Sequence, residues 1–416
     1  MELRKTYDLL IVGGGLAGVA AAMEATRSGL RTAIIEKTVL WGGMATSGLV
    51  PIYMPLCDGR GRQVSFGIAE ELVDVSLKYG PGRLPAQWAR GRPATSAAAP
   101  PPGEVLYDAG GFAQRYQTFY SPAAFALGRD EVLEQCGADL WLDTLACTPI
   151  LEGRRVVGVE VENKSGRIAI KAALVIDATG DADIAFRAGA PCQERGSFPS
   201  MLYQAGSLAQ AREALKTDCG RKVVTWHGGG AANEMDQGYN GASPKTTGTD
   251  GKALSGWFME SRRIARQKLA GEQAAAATAG GLGRENLYPA ALPTMHQIRM
   301  TRMICGLETV ETARMNQRCE TSIGLAADCR KADAVWEVPY GSILPQGVEG
   351  LLVVGRCSSA EGYAWQVTRL IPGATLTGQV AALAARLALA AQTTPDRLDV
   401  KDVQRVAEAR GLVLHL

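Results

Sequence analysis

The first chemistry in this chain is carried by three glycines at a fixed spacing. Gly13, Gly15 and Gly18 read G-x-G-x-x-G, after an apolar run at residues 7–12 and before an alanine-rich run at 18–28. A strand, a tight turn and a helix N-terminus in that order aim backbone N–H groups and the positive helix end at an anion. Gly13 permits the sharp turn, Gly15 lets backbone amides approach a pyrophosphate, and Gly18 lets the helix lie close to the strand. Glu36 ends the next apolar run, eighteen residues past the last of these glycines. Its carboxylate is placed to accept hydrogen bonds from a ribose diol, and its charge repels a 2′-phosphate. The unit reads as a dinucleotide-binding βαβ.

Acid–base and anion-binding chemistry has fewer candidates. Only three histidines occur, at 227, 296 and 415. His296, in Thr294-Met295-His296-Gln297-Ile298-Arg299-Met300-Thr301-Arg302, is the best proton carrier among them. Arg299 and Arg302 are three apart, so a helix here would put both on one face. Paired guanidiniums there either clamp a carboxylate substrate or form a solvated, salt-bridged face. Arg369, just before Ile371-Pro372-Gly373, either lines the active site or pairs with an acid such as Glu361. Metal chemistry lacks ligands. The nine cysteines are never closer than ten residues, and no C-x-x-C or Cys/His cluster exists. Zinc, a local iron–sulfur centre and a redox dithiol have no support, and scattered thiols point to a reducing, cytoplasmic setting.

Periodicity supplies the elements that must hold these groups. Strands at 7–12 and 32–36 flank a helix at 18–28, so the sheet begins parallel and right-handed. A helix is predicted around 68–79, and the Pro- and Ala-rich stretch 93–103 reads as a flexible loop. Ser121-Pro122 opens a helix running to about 136, followed by a short strand at 139–142. Residues 155–162, 167–171 and 173–178 then form an antiparallel excursion, turning at 163–166, that returns the chain to the parallel sheet. From about 193 the rhythm changes to strand pieces at 200–203 and 222–226, a Gly/Ser/Thr stretch at 228–256 and a helix at 257–270. An apolar strand at 351–355, a helix at 373–391 and a capped helix at 399–410 restore it. The expected fold class is α/β: a Rossmann-like domain with a parallel sheet and a small antiparallel excursion, plus an inserted mixed α+β substrate domain. The expected boundaries are 1–192 for the first part of the nucleotide domain, 193–338 for the insertion, 339–392 for the return and 393–416 for a C-terminal helix.

Composition narrows the partners. Of 416 residues, 46% are apolar and 21% charged, enough for a sizeable core, so wholesale disorder is excluded. Lys and Arg number 44 against 42 Asp and Glu, leaving a net charge of +2. No basic footprint marks nucleic acid or an anionic membrane surface. The 49 glycines are the unusual count. Beyond the first turn they cluster at Gly42-Gly43, at Ala178-Thr179-Gly180, and at Gly355 and Gly373, each at or just after an apolar strand. They would gather on the carboxyl edge of one sheet, where backbone must approach a ligand. A ligand with so many close approaches is long, which suits FAD better than NAD.

Four stretches carry a family resemblance: DLLIVGGGLAGVAAA (8–22), IIEKTVLWGGMATSGLV (34–50), KSGRIAIKAALVIDATGDADIAFRAGAP (164–191), and EVPYGSILPQGVEGLLVVGRCSSAEG (337–362) with Arg369 and PGATLTGQVAALAA (372–385). Together they resemble the FAD-dependent oxidoreductases akin to the flavin-bearing chain of heterodisulfide reductase and, more remotely, to fumarate reductase flavoproteins. The stretch from 195 to 335 resembles them much less. The resemblance implies non-covalent FAD, with Gly13, Gly15 and Gly18 at the pyrophosphate and Glu36 at the adenosine ribose. Gly42, Gly43 and Met44 would run beside the ribityl chain and flavin ring, and the backbone at Cys147 would touch adenine. Thr179, Gly180 and Asp181 would close over the cofactor, and Gly355 and Arg356 would meet the ribityl phosphate. Gly373, Ala374 and Thr375 would open a helix whose amides face the flavin N1–C2=O edge and stabilise the anionic reduced form.

The pattern also departs from the family. Ser359-Ala360-Glu361 stands where members often carry a Thr-His pair, and cysteines for iron–sulfur centres are absent. There is no second G-x-G-x-x-G and no adjacent cysteine pair, which disfavours a disulfide reductase with its own NADPH domain. The implied activity is hydride transfer between flavin N5 and a small organic, carboxylate-bearing substrate. The alternative is a flavin-bearing electron-transfer subunit that passes electrons to a redox partner protein.

Overall fold

The computed structural model describes residues 3–60, 62–82, 84, 117–230, 245–278 and 283–416. The loop expected at 93–103 and the 231–244 part of the Gly/Ser/Thr stretch lie outside them. The first part of the chain runs β1 (Leu3–Val12), α1 (Leu16–Arg27), β2 (Thr32–Ile35), β3 (Ile52–Tyr53), α2 (Ile68–Leu77), β4 (Thr118–Phe119), α3 (Pro122–Cys136) and β5 (Asp139–Trp141). It continues through β6 (Leu145–Glu152), β7 (Arg155–Asn163), β8 (Gly166–Asp177) and α4 (Asp183–Arg187). Strand β6 was not legible as a separate element, because only one of its residues, Pro149, is buried.

Leu9, Leu10 and Ile11 in β1 and all four residues of β2 are buried, as a strand covered on both faces requires. β1 pairs in parallel with β2 and β8, and β2 with β5. β8 is long enough to serve two partners on its other side. Its first half pairs antiparallel with β7, which pairs with β6, and its last residues pair in parallel with β16 (Leu351–Val353), a strand introduced much later in the chain. Val12, Asp177 and Val353 lie in register. The turns that follow them therefore start on one edge of a seven-stranded sheet.

The middle of the chain contributes β9 (Cys192–Glu194), β10 (Ser200–Ser207), α5 (Leu208–Lys216), β11 (Val224–Gly230), α6 (Gly251–Thr278), α7 (Gly283–Asn286) and β12 (Leu287–Ala291). Then come β13 (Arg302–Ile304), β14 (Ser322–Ala327) and β15 (Val335–Pro339). β10, β11 and β12 form a separate three-stranded sheet backed by α6, with a small core of Met201, Tyr203, Ala205 and Ala265. The β14–β15 hairpin instead buries Ile323, Ala326, Trp336 and Val338 in the main core.

After β16 come α8 (Gly362–Thr368), α9 (Ile371–Ala390) and α10 (Val400–Ala409). Among the described residues α9 is the one helix long and apolar enough to cross a membrane, yet 72% of its apolar window is buried inside the fold. It is the central core helix. A Cβ at Gly378 would fall 2.0 Å from the Ala17 carbonyl oxygen, so α9 and α1 touch backbone to backbone there. Gln379, next along, donates to Glu24 on α1 and accepts from the Ile68 amide at the start of α2. Gly378→Ala should therefore lower the urea midpoint by an amount equivalent to about 1–3 kcal/mol; an unchanged midpoint would contradict the close crossing.

Candidate cofactor and active site

The edge defined by Val12, Asp177 and Val353 is built around backbone. Gly13 has φ +108°, and a Cβ on it would sit 2.4 Å from the Ala178 carbonyl oxygen. Only glycine fits between the ends of β1 and β8. A Cβ on Gly18 would lie 1.9 Å from the Gly13 oxygen, which holds α1 against the turn. Gly15 differs: among the described residues nothing comes within 4 Å of its Cβ position. It opens α1, whose N-terminus has no side-chain cap and no acid in its first turn. Open space in front of uncapped amides at a positive helix end can receive an anion. Glu36 accepts from the amides of Gly14 and Thr38, both at 2.8 Å, so its carboxylate organises this turn and retains further lone pairs.

The next loop lies alongside. Gly42 donates to the Gly14 carbonyl at 2.6 Å and has φ +111°. Its missing side chain makes room for Arg129, because a Gly42 Cβ would fall 2.4 Å from the guanidinium carbon. Arg129 is wholly buried, stacked 3.6 Å above the Phe125 ring, and none of its three nitrogens has a hydrogen-bond partner among the described residues. Burial pushes its pKa down to about 9, against the opposing pull of Tyr120, Asp130 and Tyr53. An orphaned guanidinium is costly in a core. Beside the glycine turn, it is a ready partner for an anion.

A second cluster joins three distant segments. Asp177 accepts from the Thr179 amide and hydroxyl with one oxygen and from the amides of Ile184 and Ala185 with the other. Those bonds tie down the turn 178–183; burial still raises its pKa. Asp181 receives Arg356 Nη2 at 2.7 Å and the Thr301 hydroxyl at 2.5 Å, and His296 Nε2 lies 3.6 Å away. Burial opposes ionisation of Asp181, but Arg356, then His296 and Thr301, outweigh it and hold its pKa well below the ordinary carboxylate range. Arg356 also donates to the carbonyls of Gly180 and Ile298, so its nitrogens are turned toward protein acceptors.

His296 sits on a segment fastened to the loop after Gly43. The Thr294 amide donates to the Ser47 carbonyl at 2.9 Å, and Gln297 Nε2 donates to the Gly48 carbonyl at 2.5 Å. Gln297 also exchanges hydrogen bonds with the backbone of Leu202 on β10. Held by these tertiary bonds, residues 294–301 form no helix and Arg302 opens β13, so Arg299 and Arg302 do not share a helix face. Of the two readings, Arg302 takes the salt-bridged one. Arg302 is buried between Asp183 (3.6 Å) and Glu194 (3.3 Å) over the Phe186 ring, while Arg299 is half-buried. Arg369 follows α8, and Leu370 is the N-cap of α9, which buries Gly373, Ala374 and Thr375 near its start. Met44 lies in the loop at 42–48. The Cys147 carbonyl, expected against adenine, accepts from Arg187 at 2.7 Å. Sequence reasoning missed Gln297 and Arg129. For Arg129 a signal existed: it shares the apolar face of α3 with Phe125, Ala126 and Leu133.

The profile of the FAD dependent oxidoreductase family matches residues 8–406. The chain belongs to this family. Digeranylgeranylglycerophospholipid reductase from Picrophilus torridus is 30% identical over 176 residues, covering 42% of this chain and 39% of that protein. Thioredoxin reductase from Ureaplasma parvum is 34% identical over 74 residues, 18% of this chain and 24% of that one. The chain thus matches about two fifths or less of the length of these curated relatives. A geranylgeranyl bacteriochlorophyll reductase-like structure from Thermoplasma acidophilum covers 98% of this chain and 84% of its own, at 16% identity and a TM-score of 0.48. FAD is the cofactor of this family. The open cradle at Gly15, the uncapped α1 and the orphaned Arg129 fit an anionic dinucleotide. Among the described residues no group of three or more His, Cys, Asp or Glu is arranged to hold a metal.

Arg129→Met should lower FAD affinity roughly 10- to 100-fold, through loss of charge-assisted bonds. The FAD-free variant should unfold at the same or a higher temperature than FAD-free wild type, because a buried orphan charge is removed. Flavin absorbance titration and thermal melts read the two effects. Undiminished affinity would contradict an anion partner for Arg129.

Proposed function

We propose that this family member transfers hydride between FAD and a small organic, carboxylate-bearing substrate, with His296 moving the accompanying proton. The observation that carries this reading is the placement of a buried histidine, backed by a carboxylate, on a segment bonded to the loop after Gly43. FAD, when bound, supplies the hydride acceptor or donor at N5. Gly13, Gly15, Gly18 and Arg129 would hold its pyrophosphate, and Glu36 its adenosine ribose. Gly42, Gly43 and Met44 would flank the ribityl chain. Thr179, Gly180 and Gly355 would line the same edge, with Gly373, Ala374 and Thr375 placing the positive end of α9 at the flavin.

The chain's own groups divide the remaining work. Arg369, at the junction of α8 and α9, would meet the substrate carboxylate, with Arg299 as the second cation. Arg302 has no part in it, since Asp183 and Glu194 already satisfy its charge. Arg356 and Asp181 would act from behind, by holding the loops at 180 and 298 together.

Anaerobic bleaching of the FAD-loaded protein by 2-hydroxy acids, amines and dicarboxylates tests this directly. At least one class should reduce the flavin, and His296→Gln should slow that reduction by about 10²–10⁴-fold at unchanged FAD content. A flavin that no small molecule reduces, but a redox protein does, would replace this reading with the electron-transfer subunit.

A further inference from the structure

His296 uses its two ring nitrogens unequally. Nε2 faces Asp181 Oδ2 at 3.6 Å, within ion-pair reach. Nδ1 is buried and has no hydrogen-bond partner among the described residues, on a residue only 6% exposed in all. Asp181 is fixed from two other directions, by Arg356 at 2.7 Å and by the Thr301 hydroxyl at 2.5 Å, so the carboxylate cannot turn away. The next charges outward are Asp183 and Arg302, which pair with each other at 3.6 Å.

An ionised carboxylate only accepts hydrogen bonds, so the nitrogen facing it carries the proton in the neutral ring. The opposite nitrogen is then a bare lone pair, and burying it without a partner is unfavourable unless a ligand supplies one. Catalytic contacts are commonly long before the substrate arrives, and 3.6 Å can close to a hydrogen bond on binding.

We propose that Asp181 is a positioning residue that locks His296 as its Nε2–H tautomer. Nδ1 is thereby a general base, and the substrate it suits bears a hydroxyl on the carbon that is oxidised. This rests on the reading of His296 as the proton carrier. In the step, the carbinol C–H bond breaks and its electron pair leaves as hydride to FAD, the oxidant. The O–H bond breaks and its proton goes to Nδ1, while a C=O bond forms. Neutral imidazole is a weak base, but the hydroxyl becomes strongly acidic as hydride departs, so a weak base suffices. The imidazolium that results faces the Asp181 carboxylate.

The test is long-range ¹⁵N NMR of FAD-loaded protein labelled only at its three histidines, in mildly alkaline buffer, with the His296 signals assigned by their loss in His296→Gln. Wild type should show the proton on Nε2 alone. Asp181→Asn should give a tautomer mixture and slow flavin reduction by glycolate, lactate or malate by roughly 10²–10⁴-fold, and Asp181→Glu should restore part of both. A proton on Nδ1, or on both nitrogens, in wild type would overturn the proposal even if Asp181→Asn fails to fold. Reduction by amines but by no hydroxyl compound would overturn the substrate class. If the tautomer is as expected but His296→Gln reduces at the wild-type rate, Asp181 positions His296 as inferred and the proton-carrier reading is what fails.

Discussion

The register of Val12, Asp177 and Val353 is the constraint on which the rest of the molecule depends. Three strands from opposite ends of the sequence stop at one level, and a loop leaves each. One becomes the glycine turn, one the 178–183 turn, and one the Gly355-Arg356 turn. β8 makes this possible, because it pairs with β1 on one edge while β7 leaves its last residues free on the other edge for β16. A slip of one residue in any parallel pair would carry every side chain to the opposite face of the sheet and separate the turns. Glycines are then required where backbone from one element meets backbone from another, as the turn at Gly13 meets Ala178 and α9 at Gly378 meets α1 at Ala17.

Two buried charges near this edge are handled in opposite ways. Asp181 is surrounded by Arg356, Thr301 and His296, which overcome the burial penalty and keep it ionised. Arg129 has an aromatic ring beneath it and no hydrogen-bond acceptor among the described residues. The first arrangement completes itself within the protein and orients a neighbour. The second leaves a buried charge that an anion would satisfy. That difference separates a group already satisfied by the fold from one that the fold leaves unpaired among the described residues.

Much of the fold was legible in sequence because its signals are local. The apolar runs of β1 and β2, the glycine turn, the Ser121-Pro122 start of α3 and the apolar α9 each declare themselves within twenty residues. The site was legible only where backbone makes it, in the glycines. Arg302 misled because the carboxylates that claim it, Asp183 and Glu194, are more than a hundred residues away in the chain. Residues 294–301 are held out of a helix by tertiary bonds from Thr294 and Gln297, which local spacing does not reveal. Arg129 stands on the apolar face of α3, but its place under the Gly42 loop and over Phe125 is set by residues the local sequence does not bring together.

A structure of the anaerobic, FAD-loaded protein with a 2-hydroxy acid bound would test the central claim most directly. Pyrophosphate oxygens should lie at the Gly15 amide end of α1 and on Arg129, with His296 Nδ1 against the substrate hydroxyl and the oxidised carbon at the flavin. Pyrophosphate away from Arg129, or His296 directed away from the substrate, would contradict it.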